Sequence, residues 1–153
     1  MKRFRRLRKN AAVRNLVRET ALTANDVIQP FFVVEGENKQ EPIESMPGIF
    51  RYSLDCLLDA VEQYHSLGGQ AGLFFGIPDK KDASASQASV PEGIIPKVIK
   101  AVRNKFPDFL IITDVCLCGY TDHGHCGIVR DGSIDNDQTV ALLAKMAVSH
   151  AKA

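Results

Sequence analysis

The chain has 153 residues, enough for one domain with its own core, and a content of 45% hydrophobic and 24% charged residues excludes a disordered segment. No apolar run approaches the roughly 18 residues that cross a bilayer, and the N-terminus lacks the apolar stretch of a secretory signal, so the reading is no membrane partner and a reducing, cytoplasmic setting. Net charge is only +1, yet Lys2, Arg3, Arg5, Arg6, Arg8 and Lys9 bring six positive charges into the first ten residues, which leaves −5 for the remainder.

That basic arm fits a solvated tail, a targeting address or an arm reaching a neighbouring subunit, and no nucleic-acid partner is expected of it. Ala11 to Glu19 then suits a short helix, and residues 1–20 form the arm. Val27 to Val34 is a mostly buried strand, with Pro30 best placed at an edge or near its start. Glu35 to Gly48 is punctuated as loop by Pro42, Pro47 and Gly48. Ser53 is a candidate N-cap for a helix in which Leu54, Leu57, Leu58, Val61 and Tyr64 recur at helical spacing, stopped by Gly68-Gly69. Ala71 to Ile77 has the length of a buried strand, and Pro78 to Ser89 is a polar loop. A helix from about Pro91 to Lys105 carries Ile94, Ile95, Val98, Ile99 and Val102 on one side, Phe109 to Thr113 forms a third strand, and a last helix starts near Asn136. Strand and helix alternate three times, as in a parallel α/β fold whose strands are buried on both faces. In such folds active residues gather at the C-terminal ends of strands.

Asp114 and a cysteine loop lie at the end of the third strand. Asp114-Val115-Cys116-Leu117-Cys118 runs into His123-Gly124-His125-Cys126 within thirteen residues, and holds three of the four cysteines. Cys116 and Cys118 are two apart and project to one side of an extended segment, while Gly119 and Gly124 allow the turns that return Cys126. Three thiolates with a vacant fourth position is the pattern of a catalytic zinc, whereas a fourth ligand from His123 or His125 would close the site and make it structural. A disulfide framework or an iron-sulfur cluster fits this set less well. Cys56 reads as a small core residue, His65 and His150 as ordinary helix residues, and Lys80, Lys81 and Lys97 as solvated charges.

These residues resemble zinc-dependent porphobilinogen synthase, the delta-aminolevulinic acid dehydratase family. Besides Asp114 to Cys118, Tyr120-Thr121 and His123 to Gly127, the similarity includes Arg5-Arg6-Leu7-Arg8, Ser45-Met46-Pro47-Gly48, Phe75-Gly76-Ile77-Pro78, Lys81-Asp82 and Asn136-Asp137, in family order along almost the whole chain. Gly119 departs from the acidic residue common there. The resemblance implies a TIM (β/α)₈ barrel, of which this chain would hold about three βα units over residues 21–153, and an arm that embraces a neighbour within a homo-oligomer, commonly an octamer. It implies the condensation of two 5-aminolevulinate molecules to porphobilinogen in haem biosynthesis, with Cys116, Cys118 and Cys126 as Zn²⁺ ligands and Asp114 as the catalytic candidate beside the substrates. It leaves open an additional Mg²⁺ site of the kind found in some relatives.

The chain stops near the middle of the family pattern, before the two lysines that form Schiff bases with substrate. The expectation is therefore a fragment that is inactive by itself, since three βα units leave strand edges and apolar faces without cover. The alternative is a non-catalytic zinc-binding or interaction module.

Overall fold

Side chains alternate across a strand, and in this chain the alternation separates a core from a cavity. The computed structural model describes residues 3–153, so Lys2 of the basic arm lies outside the described residues. Five strands form one sheet in the order β2-β3-β1-β4-β5, from β1 (Gln29–Val34), β2 (Gln40–Pro42), β3 (Phe50–Tyr52), β4 (Ala71–Ile77) and β5 (Leu110–Thr113). β3, β1, β4 and β5 run parallel, and β2 joins β3 antiparallel at the edge. The protein is thus a mixed α/β structure built on a parallel sheet.

Helices α2 (Leu54–Ser66) and α3 (Ile94–Lys105) supply the crossovers. Their buried residues Leu57, Val61, Ile95, Val98 and Val102 meet Phe31 and Val33 of β1 and Phe74 of β4 in one core. All five apolar positions expected on α3 are buried. The expectation of burial on both sheet faces is not met. β4 alternates residue by residue between buried and half-buried, because Phe32, Phe75 and Arg51, paired across β1, β4 and β3, project to the opposite face.

Several boundaries differ from the sequence reading for local reasons. β1 begins at Gln29 rather than Val27; the Val27 carbonyl instead accepts a hydrogen bond from the Tyr64 hydroxyl at 3.0 Å. Pro30 does sit near the strand's start, in a stretch where β4 is paired but β3, which reaches only Phe32 and Val33, is not. The segment read as loop contains β2, and with β3 it forms a hairpin closed by Ile43 N–H donating to Ile49 O at 2.9 Å. Three-residue strands carrying Glu41, Pro42 and Arg51 are too short and too polar to show a period. Ser53 does precede α2, but its buried hydroxyl makes no cap bond; it accepts from Lys39 N–H at 2.8 Å and fastens the hairpin to the helix.

The arm packs loosely. α1 (Ala11–Leu16) is shorter than expected, is capped by Asn10, whose side chain accepts from Val13 N–H at 2.9 Å, and buries no residue. A six-residue helix without tertiary cover has little to hold it, and Leu16 and Leu22 stand 86% and 84% exposed.

At the other end α4 (Asn136–Lys152) starts from Asp135, which accepts from Gln138 N–H at 3.0 Å. Its His150, expected as an ordinary helix residue, is buried, with Nδ1 3.1 Å from the Thr113 hydroxyl and Nε2 without a partner. Burial holds the imidazole below its ordinary pKa, so the unfolded chain takes up a proton there more readily than the folded one. That contribution to stability is complete above the unfolded-state pKa, about 6.5, and is lost as pH falls toward the depressed folded value. We expect the urea midpoint to drop between pH 7.5 and 5.5, and the His150→Gln protein to show a smaller drop, measured by circular dichroism.

Candidate metal centre

Leu117 fixes the cysteine loop. It is fully buried in the core, and the chain bends there into a turn over Cys118 to Tyr120 instead of staying extended as the sequence suggested, so the two cysteines flanking it converge. That puts Cys116 and Cys118 together, their sulfurs 3.4 Å apart. Tyr120 and Thr121 then donate their N–H groups to the Leu117 carbonyl at 2.8 and 2.9 Å and turn the chain. The buried Thr121 hydroxyl donates to His125 O at 2.9 Å, which closes the arc and delivers Cys126. Gly124 takes the turn conformation expected of it, at φ 73°. Gly119 serves otherwise: a Cβ there would lie 2.7 Å from the Gly76 carbonyl oxygen, so its lack of a side chain lets the loop rest on β4.

Beyond the arc the chain forms a hairpin not foreseen from sequence, β6 (Val129–Arg130) and β7 (Ser133–Ile134), turned by Asp131 and Gly132 at φ 49° and 76°. Two successive residues at positive φ are the tight turn that suits a twisted hairpin. Thr139 of α4 anchors its approach by accepting from Ile128 N–H at 2.9 Å.

The sulfurs of Cys116, Cys118 and Cys126 all lie within 4.8 Å of one another. Tetrahedral thiolates around one Zn²⁺ would stand about 3.8 Å apart, from a Zn–S bond of about 2.3 Å, so small side-chain adjustments complete the geometry. None is in a disulfide, and Cys56, on α2, is not part of the group. Burial, then the neighbouring cysteines, pushes the Cys118 thiol up to about 12. Cys126 is also raised, chiefly by its contact with Cys116. Three sulfurs this close resist ionising together unless a cation joins them. The donor set therefore fits a thiophilic divalent metal.

The histidines stay outside this group. His123 Nδ1 accepts from His125 N–H at 3.1 Å, so in the neutral ring the proton sits on Nε2, which is buried without a partner. A nitrogen carrying its proton is no ligand. The rings of His123 and His125 lie 5.3 Å apart beside the loop, and among the described residues the cluster of potential ligands contains only the three cysteines.

Asp114 extends β5, its N–H donating to Phe74 O at 3.2 Å. It lines a cavity of about 360 Å³ together with Phe32, Phe75, Cys116, Cys118 and Tyr120. Burial raises its carboxyl above the ordinary range, opposed by a backbone hydrogen bond from Val115. Tyr120, itself buried, is held above its usual phenol range by burial and then by the Asp114 charge, so it remains a neutral donor. Two further lining residues were missed from sequence. Arg51 lies on a strand too short to recognise, and Lys81, expected as a solvated charge, is exposed but borders the cavity; Lys80 and Lys97 do not.

Three convergent thiols and a half-buried carboxylate at the C-terminal end of a parallel strand place the chain in the class of α/β domains with a candidate metal centre. The comparisons narrow this class. The family model for delta-aminolevulinic acid dehydratase matches residues 1–153. Delta-aminolevulinic acid dehydratases of Methanothermus sociabilis and Bacillus subtilis (strain 168) are 50% and 48% identical to 99% of this chain, which covers 47% of each. A crystal structure of delta-aminolevulinic acid dehydratase (porphobilinogen synthase) from Toxoplasma gondii ME49, in complex with the reaction product porphobilinogen, matches with a TM-score of 0.93 at 40% identity, over 99% of this chain and 44% of that one. The chain belongs to the delta-aminolevulinic acid dehydratase family, and it spans about half the length of the curated relatives it matches.

Two outcomes test the metal centre. Cys118→Ser should weaken binding of Zn²⁺, or of Co²⁺ followed by its thiolate absorption bands, by at least about a hundredfold, and Cys56→Ser should leave it unchanged. Because Cys118 and Cys126 hold their protons at neutral pH in the metal-free protein, metal uptake must release both. Affinity should rise at least about a hundredfold per pH unit near neutrality from these two protons, read by competition with a chromophoric chelator at a series of pH values.

Proposed function

We propose that this chain carries the metal-binding part of a porphobilinogen synthase active site, the site that condenses two 5-aminolevulinate molecules to porphobilinogen. The observation that carries the reading is the convergence of Cys116, Cys118 and Cys126 beside Asp114 on one cavity, in a chain that matches the family along its length. The metal best suited to three thiolates with a free position is Zn²⁺. Bound there, it supplies a Lewis acid for a substrate carbonyl or amine.

The chain's own residues would do the rest of this part of the work. Asp114, raised by burial, is suited to accept a proton from a substrate amine or to hold that amine in place. Tyr120 offers a neutral phenol at the same wall. The stacked rings of Phe32 and Phe75, 5.0 Å apart, give the cavity an apolar floor that limits water.

In this reading residues 21–153 are the first part of a (β/α)₈ barrel, and the face bearing Phe32, Arg51 and Phe75 is turned toward its interior. Residues 1–20 are the arm that reaches a neighbouring subunit in a homo-oligomer, commonly an octamer in this family; the exposed Leu16 and Leu22 are consistent with surface meant for cover. No helix of the described residues is long and apolar enough to cross a membrane, which accords with cytoplasmic tetrapyrrole synthesis. An additional Mg²⁺ is a family option with no ligand cluster among the described residues.

The Schiff-base lysines that the resemblance implies fall outside the matched segment, so turnover should need a second segment that carries them. We expect no porphobilinogen when this chain is incubated with 5-aminolevulinate and Zn²⁺, and measurable porphobilinogen when a lysine-bearing C-terminal half is added, followed by the colour reaction of the pyrrole. Activity of the chain alone would overturn the dependence on the second half. No activity after stable complex formation with it would favour a binding module.

A further inference from the structure

Residues 82–88 form a clasp between the cysteine loop and the core, and none of them lines the cavity beside Asp114. The Asp82 carboxylate closes the clasp. It accepts from Ser84 N–H at 3.0 Å, the Ser84 hydroxyl at 2.8 Å, Ser86 N–H at 3.0 Å and the Ser86 hydroxyl. These bonds, led by that of the Ser86 hydroxyl, hold the carboxyl well below the usual carboxylate range, so it stays charged and keeps its four donors.

The clasp is bent against local preference. Ala85 has φ 49°, a left-handed conformation that alanine adopts only when its surroundings impose it. The serines on either side of it are both held by the Asp82 carboxylate, and Ala85 N–H donates to the Asp82 carbonyl at 3.0 Å. That conformation buries Ala85 and Ala88 in the same core as Leu117, Tyr120 and Met146.

A main-chain bond carries the clasp to the sulfurs. Asp82 N–H donates to Tyr120 O at 3.4 Å. Tyr120 closes the turn that begins at Cys118, and its own N–H is held by the Leu117 carbonyl. The turn therefore has two supports, one where Gly119 rests on the Gly76 carbonyl and one where Asp82 holds Tyr120. Asp82 is not a candidate ligand, because the group of potential ligands among the described residues holds only the three cysteines.

We propose that Asp82 is a positioning residue for the metal centre, fixing the turn that sets Cys118 against Cys116 and Cys126. The role rests on the metal centre proposed above. One ion can join three sulfurs only if they are presented at the right separation, and groups outside the ligand set that hold ligands in place contribute about ten- to a hundredfold to metal affinity. Asp82 acts through a peptide group and touches no ligand side chain, so its effect belongs at the lower end of that range.

The test is titration with Co²⁺, followed by the thiolate-to-cobalt absorption bands, and with Zn²⁺ against a chromophoric chelator. Asp82→Ala should weaken both metals about tenfold and lower the thiolate band per bound cobalt, because Cys118 is no longer held where the other two sulfurs can share an ion with it. Asp82→Asn, which keeps an acceptor oxygen in the same shape, should recover most of both. Val61→Ala opens a core cavity on α2 and should lower the urea midpoint while leaving the bands and affinities as they are. If Asp82→Ala fails to fold, Ser86→Ala, which removes one donor hydroxyl, carries the same prediction at smaller size. Bands and affinities that match the unaltered protein, or that Val61→Ala reproduces at equal loss of stability, would overturn the positioning role and leave the metal centre standing. Failure of the unaltered chain to bind either metal would overturn the metal centre and this role with it.

Discussion

The register of β1 against β4 is the constraint on which the molecule depends. Phe31 pairs with Phe74 and Phe32 with Phe75, and both pairs stack, at 5.3 and 5.0 Å between ring centroids. The first pair sits in the core under α2 and α3, and the second floors the cavity. A slip of one residue would exchange them, exposing the core rings and placing the cavity rings against the helices. The same alternation continues through β5, so Asp114 reaches the cavity for the same reason that Phe74 does not.

Burial around the site separates its groups by chemistry. Asp114 is raised by partial burial and so lies nearer to exchanging its proton, while Tyr120, more deeply enclosed, keeps its own. Asp82 goes the other way, because the serine donors around it stabilise its charge and leave it to hold a loop. Cys118, by burial and then its neighbours, and Cys126, chiefly by its contact with Cys116, are raised above the ordinary thiol value. One short stretch of chain thus presents a carboxylate suited to proton exchange and a sulfur trio suited to metal, and the intervening Leu117 in the core keeps them in fixed relation.

Much of this was legible from residues alone because the signals were long or chemically specific. The α3 face from Ile94 to Val102 has a full helical period, and all of its marked positions are buried. The three cysteines identified themselves by spacing, and they converge. What could not be read was short or tertiary. β2, β3 and the β6–β7 hairpin offer two or three residues each, below any period. Ser53 looks like a cap, but the Lys39 backbone competes for its hydroxyl and wins. Lys81 looks like a surface charge because nothing in the sequence reveals that the Asp82 network folds its loop back against Tyr120.

The contact between Gly119 and the Gly76 carbonyl bears on where the sulfurs sit. With no side chain between them, main chain rests on main chain, and the loop takes its footing from an interior strand of the sheet. A methyl group added at Gly119 would meet that carbonyl oxygen at 2.7 Å, so any side chain at this position, the acidic residue common in the family included, obliges the loop to sit farther from β4 than it does in this chain.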